Sequence, residues 1–437
     1  MRRLVATSLL ALITLMYVES VWAQPAPGRA PPPARVAPVR VAPPVPATPP
    51  VRIVPTLPQV NVPEIRPRDL VTPETVLVRN RVAHLEAAQQ AGSMVALLRQ
   101  RGLVATATPL GFLGGALVSF SIPEGADEAA LLGDLSDLFP GIVIAPNDAL
   151  LPAEKPGAGD PRAYGRHLVG WPDRSTGCAR RVRLGMVDSG IDLDHPAFAD
   201  HAIAQRWLVD ESTDPNLLRH GTAIAALLVG EAPEQAIEGL APGAVLLSAA
   251  VFIRDADGNL SASVENTVIA IDWLGGEAVD VINLSIAGRS NTVLQRGVSL
   301  AGQAGLPMVA AAGNEGRDGP RAYPAASQEV LAVTALDQRR RPYRYATQGA
   351  YIDVAAPGVD VWTAASSGGG AFRSGTSVAT PFVSVMVGAL RVANPAVEAK
   401  TIYATLRTSA EDLGPAGHDP VFGWGLARMP NAAACGG

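Results

Sequence analysis

Ser374-Gly375-Thr376-Ser377-Val378-Ala379-Thr380-Pro381 places one hydroxyl among small residues, directly ahead of an apolar helical pattern. A serine at that point sits at a helix N-terminus, exposed, where backbone N–H groups can stabilise a developing oxyanion. Gly375 lets another chain approach closely. Pro381 is tolerated because the first turn of a helix does not need its N–H. Alone, the run also fits an ordinary capped helix. Two runs upstream weigh against that plainer reading.

The first is Val187-Asp188-Ser189-Gly190-Ile191-Asp192, which follows the apolar stretch Val182 to Val187. That stretch reads as a buried strand, and in open α/β sheets catalytic groups gather at the carboxyl ends of strands. Asp-Ser-Gly by itself also fits a strand-to-loop turn. The second is His220-Gly221-Thr222-Ala223-Ile224-Ala225-Ala226. It reads as a helix of small apolar residues packed tightly on a sheet, opened by His220 at its exposed end. A lone histidine is more often structural than catalytic. Together the three runs give the order Asp188, His220, Ser377. Serine is a weak nucleophile unless a base takes its proton. Histidine titrates near neutrality. A buried aspartate fixes the imidazole tautomer and stabilises the imidazolium.

With these motifs in that order, the chain resembles the subtilisin family of serine endopeptidases, the subtilases, from about Leu184 to Leu426. A fourth motif, Ala310-Ala311-Ala312-Gly313-Asn314-Glu315-Gly316, strengthens the likeness. The resemblance implies an α/β fold, a subtilisin-like three-layer domain with a mostly parallel sheet. It implies Asn314 as the side-chain oxyanion donor. It also implies that Asn283 to Ala287 is a strand whose edge pairs with an extended substrate. Ser285, Ile286, Ala287, Ala312 and Gly313 are then the substrate-binding residues. Three positions depart from the family pattern: Ala223 where a second histidine is usual, and Ala226 and Ala287 where glycine is common. Ala287 is expected to narrow the first specificity pocket.

The 437 residues suggest two to three folded units. The net charge of −5 gives no hint of nucleic acid. Aromatics are only 5%, which suits close helix-on-sheet packing more than a stacking surface. Met1-Arg2-Arg3, an apolar run from Leu4 to Val18, and Val21-Trp22-Ala23 read as a secretory signal peptide over 1–23. The run is short for a membrane span, which needs ~20 apolar residues. An exported chain, periplasmic or extracellular, is the expectation. An uncleaved anchor is the alternative. Cys178 and Cys435 are either a disulfide or two independent thiols.

Between Pro25 and Pro67, 15 of 43 residues are proline, a density no packed domain tolerates, so 24–69 reads as a disordered spacer. In 70–150, strands at Thr75–Val78, Ala105–Leu110, Ala116–Ile122 and Ile142–Ala145 alternate with helices at Val82–Arg101 and Ala126–Leu138. That βαββαβ order is ferredoxin-like. The family resemblance implies a propeptide that acts as an intramolecular inhibitor. An unrelated small binding domain is the alternative. As a propeptide, its tail Leu150-Leu151-Pro152-Ala153 would lie on the substrate side of Ser377, with a cut inside 150–165. Residues 151–170, rich in Pro and Gly, read as a linker before a catalytic domain at 171–437. There, strands and helices alternate from Val182 to the Ser377 helix, which ends near Asn394.

Asp255-Ala256-Asp257-Gly258-Asn259 begins like a calcium loop, but its glycine comes too early and no matching acid follows. No metal ligand and no cofactor are assigned, and calcium stays open. The reading is an exported serine endopeptidase, a monomer acting on protein or peptide substrates through an acyl-enzyme. The alternatives are a catalytically silent peptide-binding relative and an esterase or other acyl-transfer enzyme. The Gly-x-Ser-x-Gly elbow of esterases is absent around Ser377.

Overall fold

The computed structural model describes residues 79–85, 88–123, 126–152, 155–156, 164–172, 179–254 and 259–430. The leader, the Pro-rich stretch, Thr75–Val78, residues 255–258 and both cysteines lie outside them.

The first elements are β1 (Arg79–Leu85), α1 (Ala88–Gln100), β2 (Ala105–Pro109), β3 (Ala116–Ile122), α2 (Glu128–Leu138) and β4 (Val143–Pro146). They build an antiparallel sheet in the order β2-β3-β1-β4. Ala83 and Leu85 face α1 and α2, packing with Met94, Leu98 and Leu135. Val82, Leu117 and Ala145 face the other way, into a cluster shared with the following domain. Val82 to Leu85, read above as the start of a helix, is therefore strand. Both faces of β1 are covered, so the adjacent Val82 and Ala83 are both apolar and the alternation that marks a half-buried strand is lost.

The span 151–170, read as a linker, holds regular structure. β5 (Ala149–Pro152) and β6 (Lys155–Pro156) both pair with strands of the next domain, and α3 is Tyr164–Leu168. Then come β7 (Arg183–Asp188), β8 (Ile203–Trp207), α4 (Pro215–Leu228), β9 (Glu231–Ala232), β10 (Ile237–Glu238), β11 (Val245–Ala250), β12 (Phe252–Arg254), β13 (Leu260–Ser263) and α5 (Val264–Gly276). The chain continues through β14 (Val281–Leu284), β15 (Ile286–Ala287), α6 (Thr292–Gln303), β16 (Met308–Ala311), β17 (Val330–Leu336) and β18 (Val354–Pro357). It closes with β19 (Val361–Ala364), β20 (Gly370–Ser374), α7 (Thr376–Ala393) and α8 (Ala399–Ser409).

Seven strands, β18-β17-β16-β14-β7-β11-β8, form a sheet in which every pairing is parallel. One face packs on α4, α7 and α8, the other on α5 and α6, giving three layers. The central strands are buried on both sides, which is why β14, β16 and β17 are apolar but for the buried Asn283 and Thr334. Polar side chains start the helices: Asp214 accepts from the Asn216 N–H at 2.9 Å, Ser263 from Asn266 at 3.1 Å and Asn291 from Val293 at 3.0 Å. Among the described residues, α7 is the one helix long and apolar enough to cross a membrane, and it lies buried in the core.

Asp214 and Pro215 correct the position of His220. The helix begins at Pro215, so His220 sits in its second turn, 2% exposed, and does not open it. Pro381 is likewise the sixth residue of α7, beyond the first turn.

Candidate active site

Asp188 ends β7, at the carboxyl edge of the central sheet and beside the point where the strand order reverses from β11 to β14. The Asp-Ser-Gly and His-Gly-Thr runs interlock there. Ser189 Oγ accepts from the Gly221 N–H at 2.8 Å, and Thr222 Oγ1 from the Asp192 N–H at 2.9 Å. A side chain at Gly221 would come within 2.4 Å of the Ser189 carbonyl oxygen, so glycine after His220 is what lets α4 close on this loop.

This contact sets the histidine. His220 Nδ1 donates to Asp188 Oδ1 at 2.6 Å, and Asp188 Oδ1 also accepts from the Ser189 N–H at 2.7 Å. With the proton fixed on Nδ1, Nε2 is the acceptor, and Ser377 Oγ lies 3.2 Å from it. All three residues are buried. The exposure expected for Ser377 is absent, and the upstream chain pairs with strands beside the cleft. Leu151 and Pro152 of β5 pair with Ala287 and Ile286, while Lys155 and Pro156 of β6 pair with Ser374 and Arg373 at the end of β20, just ahead of Ser377.

Asn314 follows Gly313, which has φ of +94° and bears Ala322 and Thr347 against its α-carbon. Asn314 Oδ1 accepts from the Thr376 N–H at 3.2 Å and from Thr376 Oγ1 at 3.1 Å. Thr376 Oγ1 in turn accepts from the Gly313 N–H at 3.1 Å. These bonds turn the amide so that Nδ2 points away from Thr376, where it is buried and has no partner among the described residues. A buried donor left unsatisfied in this way suits an oxyanion that exists only during reaction. Thr376 lies inside the quoted serine run, yet its orienting role was not read from sequence; only the meeting of α7 with the β16 loop reveals it.

Ser285, Ile286 and Ala287 lie beside the cleft. Ser285 Oγ donates to the Ser377 carbonyl at 2.9 Å, while Ile286 and Ala287 form β15. Ala312 is buried, its N–H donating to the Val333 carbonyl and its carbonyl accepting from the Tyr351 hydroxyl. Burial pushes that phenol up to about 12, so it stays a donor at any working pH. Gly313, Asn314, Ala287, Gly288, Glu315, Ala322 and Thr347 line a cavity of about 140 Å³ against Leu151 and Pro152. Among the described residues no three His, Cys, Asp or Glu side chains are grouped to hold a metal ion, and no step below runs through one.

Comparison with known proteins agrees with this geometry. The chain is 30% identical over 256 residues to Subtilisin DY of Bacillus licheniformis, covering 58% of this chain and 90% of that one. It is 32% identical to Thermitase of Thermoactinomyces vulgaris, with 54% and 83% covered. It is 30% identical to the Minor extracellular protease Epr of Bacillus subtilis (strain 168), of which it spans only 39%. The fold matches the crystal structure of fervidolysin from Fervidobacterium pennivorans with a TM-score of 0.68 at 19% identity, over 82% of this chain and 61% of that chain. A family model for the subtilases matches residues 179–425, the span that contains all four motifs. The chain belongs to the subtilase family of serine-type endopeptidases.

Proposed function

We propose that this chain is an exported serine endopeptidase that hydrolyses peptide bonds through an acyl-enzyme and is made with its own inhibitor in the cleft. The observation that carries the reading is the meeting of Asp188, His220 and Ser377 beneath a segment of the same chain held as an extended strand. An extended peptide pairs antiparallel with β15 and presents its carbonyl to Ser377 Oγ. His220 Nε2 takes the hydroxyl proton as Oγ attacks, and Asp188 stabilises the imidazolium. Asn314 Nδ2 and the Ser377 backbone N–H receive the oxyanion. His220 then returns the proton to the leaving amine, and a water activated by the same nitrogen releases the acyl group. Export is supported by the Met1–Ala23 pattern and by the likeness to Epr, whose name calls it extracellular.

A fluorophosphonate label on Ser377, with casein and a simple ester as substrates, tests the reading. No label identifies a silent relative. Label with ester but no casein hydrolysis identifies an esterase.

The residues ahead of β5 support the inhibitor role. Asp272 on α5 accepts three backbone N–H groups, from Gly111 at 3.0 Å, Phe112 at 2.6 Å and Leu113 at 2.7 Å. The Phe112 ring lies against Gly275, where a side chain would come within 2.3 Å of it. Leu150 is fully buried between β13 and Gly288. We set self-cleavage between Pro152 and Lys155, the span that the β5 and β6 registers bracket. N-terminal sequencing of the mature enzyme is expected to start at Ala153, Glu154 or Lys155; a start outside 151–157 rejects the register. Segment 70–150 supplied separately is expected to inhibit the mature enzyme. Asp272→Ala is expected to raise its inhibition constant about tenfold or more, since bonds to a charged acceptor are the strong ones. An unchanged constant would detach Asp272 from docking.

A further inference from the structure

We infer that Ser384 and Asn283, neither of which touches substrate, are positioning residues for Ser377, acting through a buried chain of hydrogen bonds. This rests on Ser377 being the nucleophile. In a regular helix the carbonyl of Ser377 would accept from the N–H four residues later. That residue is Pro381, which has no N–H. The carbonyl is taken instead by Ser285 Oγ at 2.9 Å, a donor on the link between β14 and the substrate strand β15. Ser285 spends its single proton there and must be aimed. Asn283 Nδ2 donates to Ser285 Oγ at 2.9 Å, and Ser384 Oγ donates to Asn283 Oδ1 at 2.9 Å. Ser285, Asn283 and Ser384 are all 0% exposed. Each side-chain proton points one way along the series, Ser384 to Asn283 to Ser285 to Ser377.

Ser384 lies two turns beyond Ser377 on the same helix, among Val383, Val385 and Met386. A serine there is costly in so apolar a place unless its hydroxyl is used. The chain of bonds starts and ends on α7 but passes through the substrate-binding link. It therefore fixes the distance between the nucleophile's peptide and the strand that holds the scissile residue. A bond within the helix would hold Ser377 to α7 alone. Reaction rate depends steeply on that distance.

The test uses the mature enzyme with Leu-Leu-Pro-Ala p-nitroanilide, rates being expressed per fluorophosphonate-labelled site. Ser384→Ala is expected to lower kcat about fivefold with KM changed less than about twofold, the effect of one lost neutral hydrogen bond. Ser285→Ala is expected to lower kcat by at least as much. The double variant is expected to equal Ser285→Ala alone, because Ser384 acts only through Ser285. Effects that multiply overturn the inference. So does a Ser384→Ala enzyme that melts at lower temperature but keeps full kcat per labelled site, which marks a structural hydroxyl only. If Ser384→Ala does not fold, Pro381→Ala supplies the same test. Its restored N–H can take the Ser377 carbonyl, so Ser285→Ala should then cost little. An undiminished cost in that background overturns the proposal. Absence of any label on the parent enzyme removes the nucleophile, and this inference falls together with the hydrolase reading.

Discussion

Ser377→Ala is expected to accumulate as an uncut, full-length, folded chain with casein hydrolysis reduced by about 10⁶ in kcat, the scale on which subtilisins lose activity without their serine. Two consequences should appear together. The hydroxyl is the only atom removed, and it lies in a helix start held by Thr376, Asn314 and Ser285, so the fold should melt as the parent does. The segment through Leu151 and Pro152 should stay joined to β6, because the atom that cuts it is gone. Mass spectrometry and a melting curve check both. A variant processed at the parental rate in the absence of other proteases would show that a different group, or a different molecule, performs the cut.

Asn314→Ala is expected to lower kcat by about 10² to 10³ with little change in KM. Nδ2 has no partner among the described residues in the resting site, so its loss withdraws a bond made only to the oxyanion, while the loss of Oδ1 loosens Thr376 without removing a contact to the bound substrate. Asn314→Asp should be as damaging, because it replaces the donor with an acceptor facing negative charge. A change confined to KM would place Asn314 in the pocket wall and return the oxyanion to the α7 backbone alone.

The chemistry of this site was legible because each catalytic residue sits in a short run whose neighbours are constrained by close packing. Gly221 under the Ser189 carbonyl is one example, and Gly313 beneath Ala322 and Thr347 is another. The parallel sheet was legible from its mostly apolar strands alternating with helices. What sequence did not show depends on partners far apart in the chain. β1 imitated a helix because a neighbouring domain covers its second face. β5 and β6 lie in a stretch whose prolines and glycines suggest a linker, and they become strands only against β15 and β20. His220 seemed to open its helix because the capping Asp214 lies six residues earlier, outside the motif. Pro381 seemed harmless until its position in α7 was fixed, after which Ser285, Asn283 and Ser384 acquired a shared reason to be polar.

β5 completes a four-stranded sheet, β12-β13-β5-β15, in which it is an interior member. Its departure leaves a one-strand gap bordered on both sides by backbone groups that lose their partners. Only four or so residues in fully extended form can fill such a gap, and a helix or a compact turn is too wide. Folded proteins should therefore be cut at a rate set by how often a segment of them unravels. Each 1.4 kcal/mol of local opening free energy in the target would then slow cleavage about tenfold, whatever side chains the segment carries.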